Sequence, residues 1–149
     1  FIVILSLEGE VIMDDHMITN PNYNADLAEK TGADEYGMKR YILVILKSGD
    51  NQSQDKTFQN QCFKGHMDNI QKLEEEGKLI VAGPMHKNPN KYRGIFIFNT
   101  ESVSEAEKLT QNDPAIKADF LRADYYEWYG SAALPLYLEY AKQIWKVNP

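Results

Sequence analysis

Tyr41-Ile42-Leu43-Val44-Ile45-Leu46 decides how the rest of the chain is read. The run is apolar throughout, and Lys39-Arg40 and Lys47-Ser48-Gly49-Asp50 bound it. A short apolar run without polar alternation predicts a strand buried on both faces. From Asp55 to Glu76 the apolar residues switch to helical spacing, at Phe58, Cys62, Phe63, Met67, Ile70 and Leu73. Gly77 supplies the stop. Lys78 to Ala82 predicts a second strand, closed by Gly83-Pro84, and Tyr92 to Phe98 a third. Ser102-Val103-Ser104-Glu105 has the form of a capping box, Ser102 bonding forward and Glu105 reaching back. The helix it opens carries Val103, Ala106 and Leu109. Asp113-Pro114 starts a short helical segment, with aspartate as N-cap and proline at the first helical position. Ala123 to Tyr129, rich in aromatics, predicts the fourth strand.

The order between about residues 40 and 130 is therefore β-α-β-β-α-β, the split βαβ of a ferredoxin-like α+β domain. Strand one puts Leu43 and Ile45 on one side and Ile42, Val44 and Leu46 on the other. Strand three likewise divides Ile95 and Ile97 from Phe96 and Phe98. Two helices cover only one face of such a sheet. An apolar face of this size requires a cover, either a second copy or the terminal arms. The favoured expectation is a homodimer packed sheet face to sheet face.

Outside this core, residues 18–39 form an arm and residues 131–149 a C-terminal extension. Tyr23 to Lys30 predicts a short helix ended by Thr31-Gly32. Ser131 to Val147 predicts a helix interrupted by Pro135, with Leu136, Leu138, Tyr140, Ile144 and Trp145 on its apolar side. Residues 1–17 have two readings. Asp14-Asp15-His16-Met17 resembles a cloning scar, which makes the segment a vector-derived leader. Phe1-Ile2-Val3-Ile4-Leu5 is also good strand material for a native N-terminus. A foreign leader would be expected where an export signal had been removed, so an exported or periplasmic location is favoured over a cytoplasmic one.

Composition excludes several classes. The chain has 149 residues, 43% hydrophobic, and a formal net charge of −6. It is too apolar for disorder, and no apolar run is long enough for a membrane span. An acidic chain without a basic block argues against nucleic acid as a partner. One cysteine and three scattered histidines exclude a disulfide framework and give no metal-ligand spacing.

The chemistry-bearing candidates are few. His66 lies on or beside the apolar stripe of the first long helix, with Cys62 and Ile70 one turn away. It suits a general acid or base, and equally a core-edge histidine bonded to backbone. Asp113 could orient an imidazole or act only as a helix cap. Gly83, Pro84 and His86 sit on a loop after a strand, a natural pocket rim. Arg93 could bind a carboxylate, or serve as an edge-strand charge. Tyr126 and Trp128, with Tyr125 and Tyr129, could line a pocket or fill a core or dimer seam. Cys62 has the character of a buried structural thiol.

His66-Met67-x-x-Ile70-x-x-Leu73, Glu76-Gly77-Lys78-Leu79-x-x-Ala82-Gly83-Pro84 and Asn112-Asp113-Pro114 together resemble the YCII-related family over roughly residues 40–129. Pro21-Asn22-Tyr23, Gly32 to Gly37 and Trp128 to Pro135 resemble a longer, Bacteroidetes-type subgroup. The resemblance implies a dimeric α+β barrel and a His–Asp pair in a pocket, carried here by His66 and Asp113. One family relative is a dehydrochlorinase of a chlorinated hydroxyhydroquinone, with that pair as its proposed acid/base unit. The loop Met85-His86-Lys87 falls where the family varies. The resulting expectation is a lyase- or isomerase-type enzyme acting on a small cyclic substrate without metal or organic cofactor. The alternatives are a non-catalytic ligand-binding or sensing dimer and a purely structural module.

Overall fold

The structure, a computed structural model, describes residues 19–149, so the two readings of residues 1–17 lie outside the described residues. The elements are α1 (Ala25–Thr31), β1 (Met38–Ser48), α2 (Lys56–Glu75), β2 (Leu79–Pro84), β3 (Tyr92–Phe98), α3 (Val103–Thr110), α4 (Pro114–Lys117), β4 (Leu121–Ser131), a 3₁₀ turn (Leu134–Tyr137) and α5 (Leu138–Ile144). The four strands form one antiparallel sheet in the order β2-β3-β1-β4. This is a ferredoxin-like α+β fold with helical segments before and after it.

β1 is an inner strand, which explains why its sequence is apolar on both faces. It pairs with β4 along its whole length, from Met38 opposite Ser131 to Ser48 opposite Leu121. Both strands therefore outrun their expected limits, because ladder hydrogen bonds carry them past the apolar centre. Gly83 and Pro84 belong to β2 rather than closing it. Pro84 ends an edge strand, where a missing N–H is tolerated.

One sheet face holds Ile42, Val44, Leu46, Phe96, Phe98 and Leu121 against Leu73, Ala106 and Ala115 of the helices. The other holds Tyr41, Ile80 and Ile97, with Leu43, Val81 and Trp128. A bulge in the β2–β3 pairing between Leu79 and Val81 assigns the residues of β2 to these faces. It turns Ile80 and Val81 together to the second face and leaves Leu79 and Ala82 on the first.

The helix ends follow the sequence with one exception. Asp55 accepts from Phe58 N at 3.0 Å to cap α2, and Gly77, at φ 70°, ends it in the left-handed conformation. Ser102 Oγ accepts from Glu105 N at 3.4 Å, as a capping box requires. The return bond differs, since the Glu105 carboxylate accepts from the Thr100 hydroxyl instead of the Ser102 N–H. Thr100 Oγ1 in turn accepts from Ser102 N at 3.4 Å.

The C-terminal extension is not the amphipathic helix expected. Pro135 falls in the 3₁₀ turn, and Leu134 and Leu138 pack on the second sheet face. The Tyr137 hydroxyl donates to Ile80 O. Tyr140 and Ile144, expected on the apolar side, are 62% and 82% exposed. Glu74 is partly buried near this segment. Burial pushes its carboxyl up, and Lys142 of α5 opposes the shift. The extension covers only part of the second face. Leu43, Ile45, Val81 and Ile95 stay half-buried and Tyr126 is exposed. At the N-terminal side, the Tyr129 hydroxyl donates to Asp34 and ties the segment after α1 to β4.

Candidate functional site

α2 and the N-terminus of α4 meet at Gly65 and Pro114. Glycine inside a helix costs about 1 kcal/mol relative to alanine. Here it makes room, because a Cβ on Gly65 would lie 2.6 Å from Pro114 Cγ. The close approach sets the next residue of α2, His66, against the residue before Pro114, Asp113. His66 Nδ1 lies 2.7 Å from Asp113 Oδ2. Asn69, one turn further along α2, directs its amide at the same oxygen from 3.5 Å. Asp113 Oδ1 caps α4 by accepting from Ala115 N at 3.0 Å and Ile116 N at 3.4 Å.

Asp113 is fully buried, and its partners other than His66 are all donors. A carboxylate so surrounded acts as acceptor only, so His66 Nδ1 carries a proton and donates it. In the neutral imidazole the remaining ring nitrogen, Nε2, is then the acceptor. The imidazole stacks on Phe96, with centroids 5.9 Å apart and planes at 27°, and meets the Phe63 ring edge-on at 6.2 Å. Its side chain keeps 10% exposure. Among the described residues no buried side-chain nitrogen or oxygen lacks a partner, and Nε2 makes no hydrogen bond.

Tyr125 completes this environment. It shares the helix-covered face with Ala123 and Leu121, and its hydroxyl is bonded to that of buried Thr110. Burial pushes the Tyr125 phenol up, the Thr110 bond opposes this, and the Glu107 and Asp113 charges add to the rise. The phenol therefore stays protonated beside the pair.

A cleft of about 210 Å³ opens at the C-terminal end of β1. Ser48, Gln52, Gln59, Phe63, Arg93 and Phe120 are among its walls. Phe63 is shared, since it lines the cleft and touches His66. The structure thus brings His66 to Asp113 and places Arg93 in the adjoining cleft. Gly83 and Pro84 lie at the same end of the sheet, opposite Ile95 and Gly94, but do not line the cleft. His86 is an exposed loop residue whose carbonyl accepts from Asn88 Nδ2 at 2.9 Å.

Tyr126 and Trp128 are not brought to the pair. They alternate with Tyr125 along β4 and so face the other side of the sheet, opposite Leu43 and Tyr41. Trp128 packs there on Tyr41, with ring centroids 5.6 Å apart. Asn69 and Thr110 were not singled out from sequence, and Tyr125 was named only as a member of the aromatic cluster of β4. The i+3 spacing of Asn69 from His66 would have found the first, and the two-residue alternation with Ala123 would have separated Tyr125 from Tyr126 and Trp128. Among the described residues no three His, Cys, Asp or Glu side chains converge as a metal site would require.

Residues 41–128 match the YCII-related domain. The chain belongs to the YCII-related family. The match spans β1 to β4 and includes both His66 and Asp113. Among solved structures the protein is similar to 5-chloro-2-hydroxyhydroquinone dehydrochlorinase from Burkholderia phenoliruptrix, determined in complex with 2,5-dihydroxybenzoquinone. The two are 21% identical with a TM-score of 0.42, over 59% of this chain and 92% of the other. A search of curated proteins gave no match.

Proposed function

We propose that this YCII-related protein is a cofactor-independent enzyme of the lyase or isomerase type, using His66 as its acid/base group on a small cyclic substrate. The supporting observation is the 2.7 Å bond from His66 Nδ1 to a carboxylate whose other oxygen is held by two backbone N–H groups. Asp113 cannot swing away without uncapping α4, so it fixes the tautomer that leaves Nε2 basic. Nε2 takes a proton from a carbon acid, and the C–H electrons form a double bond. In elimination the leaving group departs with its own electron pair. In isomerisation the imidazolium returns the proton to another carbon. Asp113 stabilises the imidazolium formed between the two steps.

His66→Asn keeps a polar side chain of similar size but cannot exchange a proton near neutrality. Turnover of chlorinated or otherwise activated cyclic hydroxy compounds is expected to fall about 10²–10⁴-fold, with the circular dichroism spectrum unchanged. A variant as active as the parent would end the acid/base reading. A ligand-binding dimer without turnover is the second reading. The observation that favours it is that His66 is 8% exposed and adjoins the cleft through Phe63 instead of lining it.

The homodimer forms part of the same proposal. Ile45 and Ile95 are cross-strand partners on the second sheet face, half-buried in one chain and beyond the cover of Leu134 and Leu138. Light scattering at micromolar concentration is expected to give twice the 17.1 kDa chain mass. Ile45→Lys with Ile95→Lys is expected to give a folded monomer. A parent chain that is monomeric at every concentration would refute the dimer and leave the C-terminal segment as the face's sole cover.

A further inference from the structure

We infer that the cleft beside His66 binds a small cyclic carboxylate, with Arg93 gripping the acid group and Phe63 forming the wall for the ring. Arg93 is the charged residue among the cleft's walls, and its bond within the chain is a long one, 3.5 Å from Nη1 to Ser48 Oγ. The acids nearby are already engaged. Asp50 and Asp119 both pair with Arg122 at 2.7 Å, and Asp124 pairs with Lys47 at 2.5 Å. In a chain of net charge −6, a guanidinium without a carboxylate partner among the described residues is an anion receptor.

The rest of the cleft limits what the anion is attached to. Buried Phe120 packs against half-buried Phe63, with centroids 6.0 Å apart and planes at 35°, and so fixes the one aromatic side chain on which a flat or puckered ring can rest. The side-chain amides of Gln52 and Gln59 make no hydrogen bond among the described residues and are available to carboxylate or ring hydroxyl oxygens. A volume of about 210 Å³ suits a single ring with its acid group. A ring lying on Phe63 would sit one helical turn from the His66 imidazole. The inference deepens the acid/base proposal by naming its substrate class, and it rests on that proposal for turnover but not for binding.

The test separates the two. Benzoate, 2-hydroxybenzoate and cyclohexanecarboxylate are titrated into the ¹⁵N-labelled full chain, each against its neutral carboxamide. At least one carboxylate is expected to shift the backbone signals of Ser48, Gln59 and Phe63 saturably, while its amide leaves them in place. Arg93→Gln is expected to weaken that binding at least tenfold, and Arg93→Lys to restore part of it. His66→Asn is expected to bind as the parent does. Equal shifts from acid and amide, full affinity in Arg93→Gln, or no shift from any of the three acids would overturn the inference. Loss of turnover in His66→Asn together with unaltered carboxylate binding by Arg93→Gln would leave the acid/base proposal standing and remove this one.

Discussion

Asp113→Ala is expected to lower the thermal midpoint by about 5–15 °C, corresponding to roughly 2–4 kcal/mol. Two losses combine. The α4 cap at Ala115 N and Ile116 N disappears, at about 0.5–2 kcal/mol. His66 Nδ1, in a side chain only 10% exposed, is left without its 2.7 Å partner, at about 1–3 kcal/mol. Asp113→Asn is expected to be far milder, about 1 kcal/mol, because asparagine caps as well as aspartate does. Its amide can donate to Nδ1 and so hold the opposite tautomer, with Nε2 protonated. Asp113→Asn should therefore retain most stability and lose activity, whereas Asp113→Ala loses both. Thermal melts of the two variants check the stability claim. An alanine variant within about 0.5 kcal/mol of the parent, the range of surface substitutions, would show that the pair is not a buried network.

Gly49→Ala is expected to cost about 3–5 kcal/mol, enough to give a poorly folded chain. A Cβ on Gly49 would lie 2.0 Å from the carbonyl oxygen of Asp119. That oxygen belongs to backbone and cannot rotate away. Asp119 is itself held at a φ of 58°, and Asn51 N donates to its carbonyl at 3.0 Å. Gly49 N donates to Phe120 O at 2.9 Å, and Asn51 Nδ2 to Ala118 O at 2.6 Å. An added methyl group breaks this crossing of two chain segments, which also forms one wall of the cleft. Gly83→Ala is the control. A Cβ there meets nothing within 4 Å, and the change is expected to fall within about 0.5 kcal/mol of neutral. Chemical denaturation of both variants gives the comparison, and equal midpoints would contradict the close approach at Gly49.

The strands and long helices were legible because their burial is periodic. Ile42, Val44 and Leu46 against Leu43 and Ile45 divide between the two faces as the two-residue repeat requires. The 20-residue α2 differs from its expected span by one residue at each end, since Asp55 and Gly77 are strong local signals. What failed to show is what depends on distant partners. Whether Glu105 bonds back to Ser102 or to Thr100 is decided by a loop conformation, which pattern does not encode. The bulge at Ile80-Val81 breaks the alternation by which a strand's faces are read from sequence. The contact of His66 with Asp113 spans 47 residues of chain and depends on Gly65 meeting Pro114, so spacing alone left it open and the family resemblance was what pointed to the pair. Tyr126 and Trp128 had the composition of a pocket wall but the wrong parity along β4.

The outer strands of the sheet are protected by unlike means. β4 carries charge along its length, with exposed Arg122 and Glu127 and the Lys47–Asp124 pair, and such an edge repels strand-by-strand addition. β2 has no charged residue between Leu79 and Pro84, and its side chains are apolar. Tyr137 occupies the Ile80 carbonyl there, and Leu134 and Leu138 lie over the aliphatic surface beside it. The C-terminal segment thus shields part of this edge strand. Without it, β2 would offer free carbonyl and amide groups next to bare Ile80 and Ile97, the combination from which intermolecular sheet growth begins.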